Sequence, residues 1–598
     1  MNESNYIELV KQAVASGSLS AEASANITLW LKDPNFKEFV PDIEKLIDEK
    51  NWQELEDAFY TRVAVGTGGL RGPVGVGPNK INLRTIGEAA QGLSQFIKDF
   101  GPEAIEKGVV VGHEVRKMSP EFAKLCCEVF AGNGIKSYLM DHYRSTPELS
   151  FAVRHLGTTA GVQITASHNP RTDNGFKFYW SDGGQVVPPL DLKFMDLVTN
   201  VKNIERVPFE EAKEKGLIHM VGEDIDKEYF AQIKKLSLVK TRSAKIVFSP
   251  IHGAGLTNVY PILKDEGFDV TVVPEQREPD ENFPTAHGDL INPEFREVME
   301  LPISLGEKLG ADLVINSDPD ADRIGVAVKK SFNSNELQFM TGNEVGELMV
   351  YFVLTQLKKQ GKLNKDGLVI ETFVTSSLIA DIARSYGVKV IDDLLVGFKF
   401  IGEIIEKLEN KDDFIFAAEE SLGYLRGTFV RDKDAAISSL TLAEMVSELK
   451  DEGKTVIDYQ NEIYEKYGYY KNILNSVELK GKTGKENIRK IMVGLRDKLP
   501  PDLAGVPVLE VIDRLDPEMR LPEKYRVGKT GDQLTFLLSQ DKKWQVTARP
   551  SGTEPKIKYY IQVYGSVNGD LTEVRSKLDD QAKKIEQAIV EIGEKLIA

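Results

Sequence analysis

The sequence predicts an α/β protein: three similar domains with mixed sheets, followed by an α+β domain with an antiparallel sheet, all around a central cleft. Three observations predict this. One pattern of apolar strand, loop, helix, glycine and second strand occurs three times along the chain. The strand positions of each copy are β-branched runs suited to buried parallel strands. After about residue 470 the pattern gives way to a helix and several alternating strands.

The elements follow in order. Residues 1–60 read as a polar, helical appendage. The domain expected over residues 61–235 contains the first copy, "GVVVGHEVRKMSPEFAKLCCEVFAGNGIKSYLM". The next, over 236–342, contains "AKIVFSPIHGAGLTNVYPILKDEGFDVTVVPE", and the third, over 343–468, contains "DGLVIETFVTSSLIADIARSYGVKVIDD". The helix of each copy closes on a glycine, Gly134, Gly267 and Gly387, as a left-handed cap before a returning strand requires. Residues 469–598 hold the helical "ENIRKIMVGLRDKL", the strand-like "VPVLEVIDRL", "QLTFLLS", "KWQVTA" and "KIKYYIQVYG", and a long charged helix. A chain of 598 residues exceeds one hydrophobic core and suggests roughly three to five domains.

Composition narrows the function. Apolar residues make up 41% and charged residues 28%, the balance of a globular chain that folds in water. A net charge of −17 repels nucleic acid and anionic membranes over most of the surface, so neither is expected as a partner, and a phosphate-bearing ligand needs locally clustered cations. The two cysteines, Cys126 and Cys127, are adjacent and could not staple distant parts of the fold. The N-terminus lacks a basic start and a continuous apolar stretch, and no run approaches the roughly 18 apolar residues of a membrane helix. A cytoplasmic location is expected.

Five loops concentrate chemistry. "ADLVINSDPDADR" delivers Asp318, Asp320 and Asp322 into one loop beside Arg323. Three carboxylates at alternate positions repel one another unless a cation sits between them, and Mg²⁺ suits an all-oxygen set with neither Cys nor His. A solvated acidic turn is the plain alternative. "WQVTARPSGTEPKIKYY" sets Arg549, Ser551 and Thr553 around Gly552, a fork, two hydroxyls and an open backbone suited to a phosphate. "FIFAAEESLGY" ends a strand in Glu419, Glu420 and Ser421, which suit sugar hydroxyls or simply a helix start. "LLVGFKFIGE" with Lys399, "FVRDKDA" with Arg431 and Lys433, and "GTGGLRG" with Arg71 add cations that could equally be surface charge. Finally "TASHNP", ordinary turn chemistry by itself, puts Ser167 at the end of the strand "GVQITA" and ahead of Lys177. A serine hydroxyl at a strand end, near a metal loop and lysines, is a candidate phosphoryl carrier.

Taken together, "TASHNP", "DPDADR", "EESLG" and "RPSGTEPK" resemble, in order and spacing, the four signature loops of the α-D-phosphohexomutases. The likeness extends over about residues 60–565. It implies a phosphoserine at Ser167, one Mg²⁺ held by Asp318, Asp320, Asp322 and the serine phosphate, and sugar hydroxyls on Glu419 and Ser421. It also implies a phosphate site at Arg549, Ser551, Gly552 and Thr553, with Arg71, His168, Lys177, Arg323, Lys399 and Lys433 as supporting cations and acid/base groups. Pro319 and Ala321 stand where the commonest form of the metal loop has glycines, which stiffens it. With the longer chain, they make the sequence look more like the branch that holds long phosphoglucomutases and phosphopentomutases.

The activity so implied interconverts glucose 1-phosphate and glucose 6-phosphate through glucose 1,6-bisphosphate, which serves as intermediate and activator. Within the family, phosphopentomutase or phosphomannomutase activity is the alternative; outside it, a Mg²⁺-dependent sugar phosphatase or a non-catalytic sugar-phosphate sensor. Phosphosugars are the expected ligands of a monomer or weak homodimer.

Overall fold

Runs of β-branched residues with helices on either side must lose both faces to the interior, and they do. In the computed structural model, which describes residues 3–66, 69–479, 482–515, 531–551 and 556–597, Val109–His113 is wholly buried. It pairs in parallel with Ser137–Met140 on one side and Ala160–Ile164 on the other. Ala160–Ile164 then pairs antiparallel with Asp173–Trp180, and that strand with Gly69–Pro73. Val65–Gly66 and Ile218–Val221 complete a seven-stranded mixed sheet.

The second and third copies build the same way. Lys245–Ser249, Asp269–Val272 and Leu313–Ser317 are parallel, followed by antiparallel Ile324–Lys329 and Leu337–Met340. Leu368–Thr372, Lys389–Leu394 and Phe414–Glu419 are parallel, followed by antiparallel Gly423–Leu425. The three closing glycines take the left-handed backbone their positions require, with φ of 74°, 90° and 75°.

One event recurs in all three sheets. A buried parallel strand runs into a tight loop and returns antiparallel, and the loops are residues 165–172, 318–323 and 420–422. Each contains one residue other than glycine in the left-handed region: Ser167 at φ 55°, Ala321 at 50° and Leu422 at 65°. Such a conformation costs about 1–3 kcal/mol and persists only where the surroundings hold it.

The last sheet is antiparallel, in the order Tyr469–Glu478, Lys556–Gly565, Gln545–Pro550, Leu534–Leu537, Glu510–Asp513. Helices Lys482–Asp497 and Leu571–Lys595 pack with it. Its first strand is not among those the sequence marks. Lys471, Asn472 and Asn475 dilute the alternation, and ten consecutive pairs with Lys556–Gly565 fix it instead. The N-terminal helices, Glu3–Ala15, Ala21–Lys32, Val40–Asp48 and Trp52–Phe59, enclose a core of their own around Trp30, whose ring stacks on Phe36 at 4.5 Å. They dock on the first domain through Lys80–Glu54 at 2.7 Å and Arg84 over the Phe36 ring at 5.0 Å.

Helix Gly342–Lys359 starts at a capping box of Thr341 and Glu344 and buries Glu347, which accepts from the Tyr464 hydroxyl at 3.2 Å. Its other oxygen has no partner, and burial pushes the carboxyl up to about 8. An acid whose pKa is raised by folding must take up a proton to fold wherever the unfolded chain is ionised, so its destabilising effect grows as pH rises from its ordinary value toward 8. Glu347→Gln should therefore raise stability by less than about 1 kcal/mol at pH 5 and by roughly 4 kcal/mol at pH 8. Melting curves at the two pH values check this.

Candidate active site

The first two tight loops meet. Ser167 is 1% exposed, and its hydroxyl donates to Asp318 Oδ2 at 3.3 Å across the boundary between the first two domains. The strand before it and the strand after it are both internal to the sheet, so the loop has little room, and Ser167 N–H is held by Thr165 Oγ1 at 2.7 Å. His168 Nδ1 lies 3.4 Å from Ser167 Oγ.

Asp318, Asp320 and Asp322 are fully buried, and each offers a carboxylate oxygen within 4.8 Å of the others'. Asp318 Oδ1 accepts the N–H groups of Asp322 and Arg323 at 3.1 and 3.0 Å, which closes the loop on itself. Asp320 Oδ2 accepts Lys177 Nζ and Thr146 Oγ1, both at 2.7 Å. Asp322 Oδ2 takes Lys433 Nζ at 2.8 Å and Lys177 Nζ at 3.4 Å. Asp320 Oδ1 and Asp322 Oδ1 accept no hydrogen bond although buried, and Asp322 Oδ1 has only Arg323 Nε at 3.6 Å. Buried carboxylate oxygens left unmatched, in an all-oxygen set, fit a hard divalent cation.

The electrostatics say the same. Burial, then the charges of Asp322 and Asp320, hold the Asp318 carboxyl well above the usual range. For Asp320 burial acts in that direction too, but the charge and hydrogen bond of Lys177 outweigh it and keep the group ionised. Burial lowers His168 well below its ordinary value, reinforced by the cations Arg323, Arg71 and Lys558, so its ring is neutral near pH 7.

The third domain joins as well. Lys433 reaches the triad from "FVRDKDA", while the neighbouring Asp432 accepts the Tyr179 hydroxyl at 3.0 Å and Gln185 at 2.9 Å from the first domain. Arg431 is structural: it is buried, pairs with Glu406 at 2.7 Å and donates to the carbonyls of Thr428 and Val430. Glu419 is buried at its strand end, accepts Gly397 N–H at 2.9 Å and feels Lys433 and Arg323. Burial, then Glu419, pushes Glu420 up to about 7. Ser421 follows, half-buried in the turn.

A cavity of about 660 Å³ opens beside these groups, lined by His168, Glu294, Glu420, Lys556, Lys558 and Tyr560 among others, so all four domains contribute to its wall. Arg549, across the last hairpin from Lys558, acts electrostatically on Tyr560 and Glu420. Ser551 ends the strand pairing, with its N–H on the Lys556 carbonyl at 2.8 Å. Gly552 and Thr553 lie outside the described residues. Arg71, on the strand paired with Asp173–Trp180, senses Asp320, Asp322 and Arg323. Lys399 is set apart from the triad, its ammonium 3.4 Å from Asp191 on helix Leu190–Thr199.

Several contributors escape a reading of the four loops alone. Thr146, at the start of helix Thr146–Leu156, bonds Asp320. Gly253 lies so close to the metal loop that a Cβ would fall 2.6 Å from Pro319 Cα and O, while Ala254 N–H holds the Pro319 carbonyl at 2.8 Å. The signal was present in "SPIHGAG", which follows the first strand of the second copy just as "TASHNP" follows a strand of the first.

Comparison with known proteins agrees. Three family models match in order: phosphoglucomutase/phosphomannomutase α/β/α domain I over residues 62–205, domain II over 227–331 and domain III over 345–467. The chain is 33% identical over 531 residues to a phosphoglucomutase of Staphylococcus haemolyticus, covering 87% of this chain and 94% of that one. It is 34% identical over 547 residues to a phosphoglucomutase of Staphylococcus saprophyticus, covering 90% and 96%. Among solved structures, the open form of parafusin, a phosphoglucomutase from Paramecium, shares the fold with a TM-score of 0.64 at 17% identity, over 89% of this chain and 96% of that one. The chain belongs to the phosphoglucomutase/phosphomannomutase family, within the α-D-phosphohexomutases, whose members are intramolecular phosphotransferases.

Gly253→Ala should push Pro319 away and weaken Mg²⁺ binding by about ten- to a hundredfold with the fold intact, as lost support around a metal site generally does. Calorimetric titration with Mg²⁺ measures the affinity, and an unchanged value would show that Gly253 does not support the loop.

Proposed function

We propose that this protein is a phosphoglucomutase that interconverts glucose 1-phosphate and glucose 6-phosphate. The single observation that carries the reading is the 3.3 Å approach of Ser167 Oγ to Asp318 Oδ2, which sets a nucleophile against a buried carboxylate triad. The curated relatives named as phosphoglucomutases support the choice of sugar.

In this reading Ser167 carries a phosphoryl group. The free hydroxyl of a hexose monophosphate attacks its phosphorus, the P–O bond to Ser167 Oγ breaks, and the resulting 1,6-bisphosphate turns end for end. Ser167 then takes the other phosphoryl group back. Asp318, Asp320 and Asp322 would hold a Mg²⁺ ion, which when bound supplies positive charge to the phosphoryl oxygens. Lys177 and Lys433 neutralise the triad, and Arg71 and Arg323 add positive charge where the transferring group sits. We assign the proton of the attacking hydroxyl to His168, a neutral ring 3.4 Å from Ser167 Oγ, whereas Lys177 is tied to two carboxylates. Glu419 and Ser421 receive sugar hydroxyls, and Arg549, Ser551, Gly552 and Thr553 grip the phosphate that is not reacting, with Lys558 opposite Arg549. Lys399, paired with Asp191, stands apart as a supporting cation. Glucose 1,6-bisphosphate is the natural activator. A reducing, cytoplasmic setting fits the buried free thiols of Cys126 and Cys127.

A coupled assay with glucose 1-phosphate, Mg²⁺ and a trace of glucose 1,6-bisphosphate should yield glucose 6-phosphate, with higher kcat/KM than for ribose 1-phosphate or mannose 1-phosphate. Ser167→Ala should lower kcat more than about a thousandfold and abolish the phosphoenzyme seen by intact mass. Turnover without a phosphoserine would overturn the mechanism, and net release of inorganic phosphate would make the protein a phosphatase.

A further inference from the structure

The loop that carries Ser167 is organised by a residue outside every signature loop. Arg116 follows strand Val109–His113 and is 0% exposed. A guanidinium has five N–H donors in a fixed plane, and Arg116 has a partner for each. Nη2 donates to the carbonyls of Ser167 at 2.6 Å and Asn169 at 2.7 Å. Nη1 donates to those of Pro170 and Asp173, both at 2.7 Å. Nε donates to Glu114 Oε1 at 2.7 Å.

Glu114 closes the circuit. Its Oε1 also accepts the Thr165 hydroxyl at 2.8 Å, and Thr165 Oγ1 in turn accepts Ser167 N–H at 2.7 Å. The peptide groups before and after the Ser167 side chain are therefore both tied to one buried ion pair, and Ser167 sits between them at φ 55°. Nothing else among the described hydrogen bonds holds the carbonyls of Ser167 and Asn169. Four carbonyl oxygens drawn toward one point would repel one another without the cation they share. The guanidinium also faces the Phe283 ring of the second domain at 5.7 Å.

We propose that Arg116, braced by Glu114 and Thr165, is the positioning residue of phosphoryl transfer: it fixes the backbone on which Ser167 Oγ is aimed at the triad, without touching the sugar. The inference rests on Ser167 being the phosphoryl carrier. An ammonium has three donors without the planar fork and cannot reproduce the five bonds. A misplacement of the reacting atom by about 1 Å costs on the order of a hundredfold in rate, whereas phosphate and sugar contacts made by other domains are left intact.

Arg116→Lys should thus lower kcat about a hundredfold while KM for glucose 1-phosphate stays within about twofold, and phosphoryl loss from pre-labelled Ser167 to glucose 1-phosphate in rapid quench should slow to match. Thr165→Val, a milder change that unties Ser167 N–H and the Thr165–Glu114 bond but leaves the five Arg116 bonds in place, should lower kcat about tenfold, and Thr165→Ser should restore it. Melting temperature is followed in parallel. If Arg116→Lys does not fold, the Thr165 pair decides. Wild-type kcat in Arg116→Lys or Thr165→Val, or KM rising as kcat falls, overturns the proposal. Absence of phosphoserine at position 167 in the unaltered protein would instead overturn the functional reading on which it rests.

Discussion

Three carboxylates buried within a few ångströms of one another are the constraint on which the centre of this protein depends. Their mutual repulsion, strengthened by burial, would unfold the loop that holds them were it not offset by cations. Arg323 of the same loop supplies one, 3.6 Å from Asp322, and two come from elsewhere: Lys177 from the first domain and Lys433 from the third. The second domain's loop is therefore partly neutralised by its neighbours, and the site and the domain assembly share the same charges. Two carboxylate oxygens, one on Asp320 and one on Asp322, accept no hydrogen bond even so.

The backbone supplies a second theme. In each of the first three sheets a parallel strand is followed by an immediate antiparallel return, and the functional loop is the turn between them. A hairpin turn has few atoms and two anchored ends, so its side chains point in defined directions at little entropic cost once the sheet has formed. The left-handed residue in each loop is the geometric consequence of a return that tight. At Ser167 and Ala321 it is held by specific bonds, from Arg116 and Thr165 in one case and from the N–H groups around Asp318 in the other.

The fourth domain stands differently. Its hairpin approaches the others across the cavity, with Lys558 and Arg549 acting on His168 and Glu420 through electrostatics, while Arg514–Asp393 and Lys543–Asp381 tie the domain to the third. In a chain of net charge −17, this local concentration of cations gives a doubly charged phosphate a reason to enter one cleft and no other surface.

The sequence by itself determined the architecture and most of the chemistry. The repeats, the closing glycines and the change of pattern after residue 470 are local signals, because strand burial and helix capping are written in consecutive residues. The residues of the four motifs are likewise short-range information, and Ser167, the aspartate triad and Lys177 converge as their types suggested. Strand Tyr469–Glu478 was hidden, since its partners lie some 80 residues away and its own alternation is weak. Only the tertiary structure decided which cations serve the triad: Lys433 meets it and Lys399 turns to Asp191, though both read alike as lysines beside apolar residues. It also decided that Arg116, Thr146 and Gly253 belong to the site. Their contributions are a backbone clamp, a single hydrogen bond and an absent side chain, and each acquires meaning only when a loop remote in sequence is folded against it.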